Sequence, residues 1–112
     1  MNTEFTPLVS IVIPTYNHAK FISKALKSVI DQTYKNWEAI IIDNESVDET
    51  YKLVNGFDDL RIKYFKISND GVIAKSRNLG IKEAKGDWIA FLDSDDWWTK
   101  DKLEVCLSKI DN

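Results

Sequence analysis

The chain has 112 residues, 44% of them hydrophobic and 29% charged, with a formal net charge of −3. That length allows one domain with a single core and is small for a complete enzyme with two substrates. The negative charge excludes a nucleic-acid-binding surface as the main business, and it leaves a polyanionic ligand in need of a metal or a few placed cations.

From the N-terminus, residues 1–7 carry neither the basic nor the apolar segment of a signal peptide, and no later apolar run is long enough to span a bilayer. A cytoplasmic protein is expected, any membrane association being left to a further C-terminal part. Leu8 to Ile13 is a near-continuous β-branched run, the pattern of a strand covered on both faces. Pro14 is expected to end it, because proline cannot donate to a sheet ladder. Thr15, Tyr16, Asn17 and His18 form the next loop. His18, with no Cys or His partner, reads as a solvated loop residue. Asn17 is the expected N-cap of a helix whose apolar stripe is Ile22, Ala25, Leu26, Val29 and Ile30.

A second strand, Trp37 to Ile42, closes on Asp43-Asn44-Glu45. Ser46-Val47-Asp48-Glu49 has the form of a capping box and predicts a helix from Val47 that buries Val47, Tyr51 and Val54 and stops near Gly56. Arg61 to Ile67 alternates charged and apolar residues, as a half-exposed edge strand does. Ser68 to Gly71 is a turn. A third helix is predicted from Ile73 to Lys85, with Gly86 just past its end. Gly80 inside it costs about 1 kcal/mol relative to alanine, which points either to a close backbone approach or to simple tolerance.

The apolar run Trp88 to Leu92 reads as a buried strand too short to be a helix. Asp93-Ser94-Asp95-Asp96 follows, and carboxylates this close repel one another unless something cationic sits among them. In an extended segment alternate side chains share a face, which would aim Asp93 and Asp95 the same way. Two convergent carboxylates suit Mn²⁺ or Mg²⁺ with positions left open for phosphate oxygens. A solvated turn leading into the next helix is the alternative. Thr99 is the expected cap of a last helix with Leu103, Cys106, Leu107 and Ile110 on one face. Cys106, the one cysteine, excludes an internal disulfide, fits a reducing compartment and reads as a buried structural thiol.

This β-α alternation predicts a parallel sheet between helix layers, joined by right-handed crossovers. Ligands of such sheets bind outside the carboxyl ends of the strands, where strand order reverses. Pro14 to Asn17, Asp43-Asn44 and Asp93 to Asp96 all belong to that rim. Tyr16 can offer its ring to a nucleobase or pack on the first helix. Asn44 offers a donor and an acceptor. Asp43 either meets a ligand or accepts backbone hydrogen bonds. Arg77 pairs with Asp93, with a phosphate or in a structural ion pair. Trp97 and Trp98 line a sugar pocket or pack the last helix.

Val9 to Asn17, Asp43 to Asp48, Ala74 to Ile81 and Asp93 to Asp96 resemble, in order and spacing, the successive motifs of family 2 glycosyltransferases. The resemblance covers Leu8 to about Leu103. It implies a GT-A fold, a Rossmann-like three-layer α/β/α arrangement with a mainly parallel sheet. Residues 1–112 would then be a single nucleotide-diphospho-sugar-binding domain, cut short before the acceptor-binding half. The implied donor is a nucleotide-diphospho-sugar, a UDP-sugar first. The implied reaction is metal-dependent transfer, with inversion, to a glycan or lipid-linked acceptor.

By the same resemblance, Tyr16 stacks on the uracil and Thr15 lies beside it through its backbone, within the Pro14–Asn17 loop. Asn44, next to Asp43, stands where the family usually has an aspartate accepting the uracil N3 hydrogen. Its amide oxygen can accept that bond without charge. Arg77 lies near the diphosphate, Asp93 with Ser94 near the ribose and metal, and Asp95 is the direct metal ligand. The family's catalytic base lies well beyond this motif, past residue 112. Little or no transfer is therefore expected of this chain alone, and an uncovered sheet edge favours homo-oligomers. Two rivals share parts of the pattern. A non-catalytic nucleotide-binding or assembly module would use every rim residue. A receiver-type phospho-acceptor domain would need a strand-ending lysine after the acidic loop, and the sequence has none there.

Overall fold

A computed structural model of the chain describes residues 6–110; residues 1–5, part of the stretch read above for a signal peptide, lie outside them. Eight elements alternate as expected: β1 (Val9–Thr15), α1 (Ala19–Ile30), β2 (Trp37–Asp43), α2 (Thr50–Asn55), β3 (Ile62–Lys66), α3 (Ile73–Glu83), β4 (Trp88–Phe91) and α4 (Lys102–Ile110). The four strands form one parallel sheet in the order β3-β2-β1-β4. The chain therefore steps outward from β1 to β3 and returns on the other side of β1. Strand order reverses between β1 and β4.

Period-2 alternation sorts the two central strands into two cores. Val9, Ile11 and Ile13 of β1 and Trp37, Ala39 and Ile41 of β2 pack with Ile22, Ala25, Leu26 and Val29 of α1 and Val54 of α2. Val12, Ile40 and Ile42 face the other way, against Leu79 of α3. Burial on both faces is why these strands read as continuous apolar runs. Gly80 is the point of closest approach on the second face, since a Cβ there would lie 2.3 Å from Val12 Cγ1. Gly80→Ala is expected to lower stability by about 1–3 kcal/mol in urea unfolding, because the overlap outweighs the gain in helix propensity. Unchanged stability would mean that α3 slides freely over β1.

At the opposite end of the strands from their carboxyl rim lies a buried polar network. Ser10 Oγ donates to Glu38 Oε2 (2.5 Å), Lys63 Nζ to Glu38 Oε1 (2.8 Å) and the Lys85 backbone N–H to Glu38 Oε2 (2.7 Å). The Gly86 N–H donates in turn to Ser10 Oγ (2.8 Å). Burial pushes the Glu38 carboxyl up, but the bonds from Lys63, Ser10 and Lys85 outweigh it and hold the group below its ordinary range. The Arg61 guanidinium does the same for Asp59. Lowered folded-state pKa values contribute stability above the ordinary carboxylate range, and that stability is lost as pH falls through the lowered values. The thermal midpoint is thus expected to hold from neutral pH to about pH 5 and to fall steeply below about pH 4. Glu38→Gln should flatten that acid limb. An unaltered limb would place the titrating group elsewhere.

Several local expectations give way to tertiary contacts. Pro14 does not end β1; it pairs in register with Ile42. Val12 O accepts from the Leu92 N–H (3.0 Å), so the backbone of Val12, and of Pro14 two residues on, faces β4. β4 has ended by Pro14, so the missing donor costs nothing. Asn17 is not the N-cap of α1. It sits at φ 51° and its Oδ1 accepts from the Val47 N–H (2.9 Å), while His18 takes the cap position. The capping box before α2 does not form. Ser46 Oγ instead donates to Asp43 Oδ1 (2.5 Å) and accepts from the Asn17 N–H (2.8 Å). Asp48 accepts from the Thr50 and Ala19 N–H groups (3.0 Å each). The helix consequently starts at Thr50 and leaves Val47 89% exposed and Tyr51 half-exposed.

β4 is an edge strand, not a buried one. Trp88, Ile89 and Phe91 are each at least 40% exposed, since among the described residues the strand pairs with β1 alone. α4 buries Leu103 and half-buries Leu107, leaving Cys106 and Ile110 exposed. The expected buried thiol is a free surface one.

Candidate functional site

Two adjoining cavities open at the carboxyl rim. The first, about 370 Å³, lies at the reversal between β1 and β4. Its walls include Pro14, Thr15 and Tyr16 from the end of β1 and Asp93, Ser94 and Asp95 from the loop after β4. Arg77 of α3, Asn44 and His18 complete much of the wall. The second, about 520 Å³, shares Tyr16, Asn44, Asn69 and Ile73 with the first and continues over Asp70 and Gly71. A wider groove of about 700 Å³ between α1 and α2 carries none of the rim residues.

Tyr16 is 56% exposed and lines both cavities. Thr15 O accepts from the Asn44 N–H (3.0 Å), which joins the β1 and β2 ends. The buried Thr15 Oγ1 has no hydrogen-bond partner among the described residues. Asn44 Oδ1 accepts from the Asn69 N–H (2.9 Å), leaving one lone pair and the amide N–H groups for a ligand. Asp43 stands outside the cavity. Its carboxylate, 1% exposed, accepts from the Ser46 N–H and hydroxyl and from Tyr64 O–H, a structural role. Asn17 likewise lines neither cavity and stitches two loops together.

Asp93 and Asp95 both line the first cavity, placed there by a turn and not by strand alternation. The Asp96 N–H donates to Asp93 O (2.9 Å), which closes the turn over residues 93–96. Among the described residues neither carboxylate has an ion pair or hydrogen bond. Arg77 makes no ion pair with Asp93 among them and lies 5.7 Å over the Phe91 ring. Trp98 half-packs into the core, whereas the half-exposed Trp97 lies under the Lys24 ammonium at 4.7 Å. His18, expected as a solvated loop residue, is half-buried and lines the first cavity, as do Asn69 of the turn and Ser76, neither of which was expected there. His18 Nδ1 lies 2.5 Å from Ser94 Oγ, and Asn69 Nδ2 donates to Ser76 Oγ (3.0 Å). A lone histidine and a turn asparagine carry no periodic signal; only their place at the strand ends could have marked them.

Two exposed carboxylates beside one arginine make a rim that repels a polyanion unless a cation joins it. The model for glycosyl transferase family 2 matches residues 10–112. The chain belongs to glycosyl transferase family 2. The Escherichia coli UDP-Glc:alpha-D-GlcNAc-diphosphoundecaprenol beta-1,3-glucosyltransferase WfgD is 46% identical to this family 2 chain over 103 residues. That match covers 92% of this chain and 41% of WfgD. The crystal structure of S. aureus TarS 1-349 in complex with UDP superposes with a TM-score of 0.86 at 33% identity, covering 92% of this chain and 32% of that one. The mannosyltransferase PcManGT from Pyrobaculum calidifontis, in complex with GDP-Man and Mn²⁺, shares the fold with a TM-score of 0.87 at 24% identity, covering 97% of this chain and 34% of PcManGT. The GT-A architecture expected from the sequence is the one observed. The chain spans less than half the length of each of these proteins. Among the described residues no helix is long and apolar enough to cross a membrane.

Proposed function

We propose that this chain is the donor-binding part of a metal-dependent family 2 glycosyltransferase and holds a nucleotide-diphospho-sugar, a UDP-sugar first. The observation that carries the reading is that Tyr16, after β1, and Asp93 and Asp95, after β4, line one cavity at the strand reversal. A base against the Tyr16 ring, with Asn44 at its edge, would leave the diphosphate facing Arg77 and the two aspartates. The choice of uracil draws support from WfgD, named for UDP-Glc, and from TarS, solved with UDP and with UDP-GlcNAc.

The donor set fits Mn²⁺ or Mg²⁺. Among the described residues Asp93 and Asp95 carry no other partner, and no group of three or more candidate protein ligands gathers. That suits an ion held by one or two carboxylates that takes its other oxygens from water and phosphate. Bound there, it supplies Lewis-acid stabilisation of the charge that builds on the departing nucleoside diphosphate. The chain's own residues position the base, orient the diphosphate and keep both carboxylates turned to it. Deprotonation of the acceptor, a glycan or lipid-linked sugar, falls to a base outside this chain, so the chain alone transfers little or no sugar.

Titration of UDP, GDP and dTDP in Mn²⁺ tests the base assignment. UDP should bind best, and Tyr16→Ala should weaken it by roughly 1–3 kcal/mol, the range for a lost stacking contact. An unchanged UDP affinity in that variant would take Tyr16 out of the site.

A further inference from the structure

We infer that His18 is a positioning residue: through Ser94 it latches the acidic turn and so sets how tightly a metal-bound diphosphate is held. The inference rests on the donor-site reading of the cavity. Ser94 is 1% exposed although both flanking aspartates are exposed. Its Oγ lies 2.5 Å from His18 Nδ1. Among the described residues this is the one hydrogen bond between residues 93–97 and the rest of the chain.

His18 is itself well fixed. Its carbonyl accepts from the Phe21 and Ile22 N–H groups (2.9 Å each) as α1 begins, and the Phe21 ring meets the imidazole edge-on at 5.8 Å. The anchor is therefore fixed, whereas among the described residues Asp93 and Asp95 have no partners of their own and repel each other. Pulling Ser94 inward at the centre of the turn is what leaves its two neighbours facing the cavity together. Support of this kind, one step removed from the ligating atoms, sets the orientation of the groups that do bind. His18 thus links the first loop of the fold to the acidic turn, 76 residues later.

The test compares wild type, His18→Ala, Ser94→Ala and the double variant, each first confirmed to keep the wild-type circular dichroism spectrum. Hydrogen exchange of the ligand-free proteins should be faster across residues 93–96 in every variant, with the double variant no faster than the singles, as for two halves of one contact. Calorimetric titration of UDP with Mn²⁺ should show about 10-fold weaker binding in each, the scale for a lost supporting partner. His18→Asn can place an amide atom where Nδ1 stands and should restore both readouts, whereas His18→Gln should not. Unaltered exchange across 93–96 overturns the latch whatever the nucleotide does. Faster exchange with unchanged UDP affinity overturns the positioning role. Wild type that binds no UDP overturns the donor-site reading and with it that role, while the exchange data still decide whether the latch exists.

Discussion

Asp95→Ala should abolish the Mn²⁺ dependence of UDP binding and weaken UDP about 100-fold, roughly 3 kcal/mol, as expected when one side of a close charge contact is removed. Asp95 lines the cavity at the strand reversal and has no hydrogen bond or ion pair among the described residues, so none of their contacts relies on its charge. The informative control is Asp96→Ala. Asp96 belongs to the same acidic run, but it lines neither cavity at the rim and its Oδ1 accepts from the Trp97 N–H (2.8 Å). Metal dependence should survive its loss. If both variants weakened UDP equally, the effect would be that of net negative charge and not of a placed ligand.

The largest loss of stability is expected at the other end of the sheet. Glu38→Ala should cost roughly 3 kcal/mol in urea unfolding, because it strips a buried carboxylate from three donors at once. The Lys63 ammonium, 40% exposed, recovers some hydration, which keeps the figure at the lower end for a broken buried pair. The Ser10 hydroxyl, fully buried, has no such recourse. Ser10→Ala should cost about 1 kcal/mol, and the double variant should cost less than the sum, since the two residues share one network. UDP binding by the folded fraction should not change, because the network lies at the amino ends of the strands. A cost under about 0.5 kcal/mol for Glu38→Ala, the size of an ordinary surface change, would show that water replaces the network.

The fold was legible wherever burial dictates composition. β1 and β2 are covered on both faces and read as apolar runs; β3 is a half-exposed edge strand and reads as an alternating one. Gly80 could be marked but not decided, since a Val12 side chain pressed against it is visible only once α3 is docked. Where apolar composition was taken for burial, position in the sheet corrected it: Trp88 and Phe91 sit on an edge strand, and Cys106 on the open side of α4. Capping rules failed at Asn17 and at Ser46 for a common reason. Those side chains reach across to each other's loops, Asn17 to Val47 and Ser46 to Asn17, in place of their own helix ends. In the site, chemistry marked Tyr16, Asn44, Asp93 and Asp95, which the fold does bring together. It did not separate Asp43 from them, because a carboxylate engaged by Ser46 and Tyr64 looks the same in sequence as one turned to a ligand. Nor did it mark His18, whose partner is remote in the chain.

Calorimetric titration of UDP into the unmodified protein, once with Mn²⁺ and once with EDTA, tests the central claim most directly. The arrangement of Tyr16, Arg77, Asp93 and Asp95 predicts saturable binding with Mn²⁺ and its loss in EDTA. Equal affinity in both solutions, or no binding in either, would contradict it.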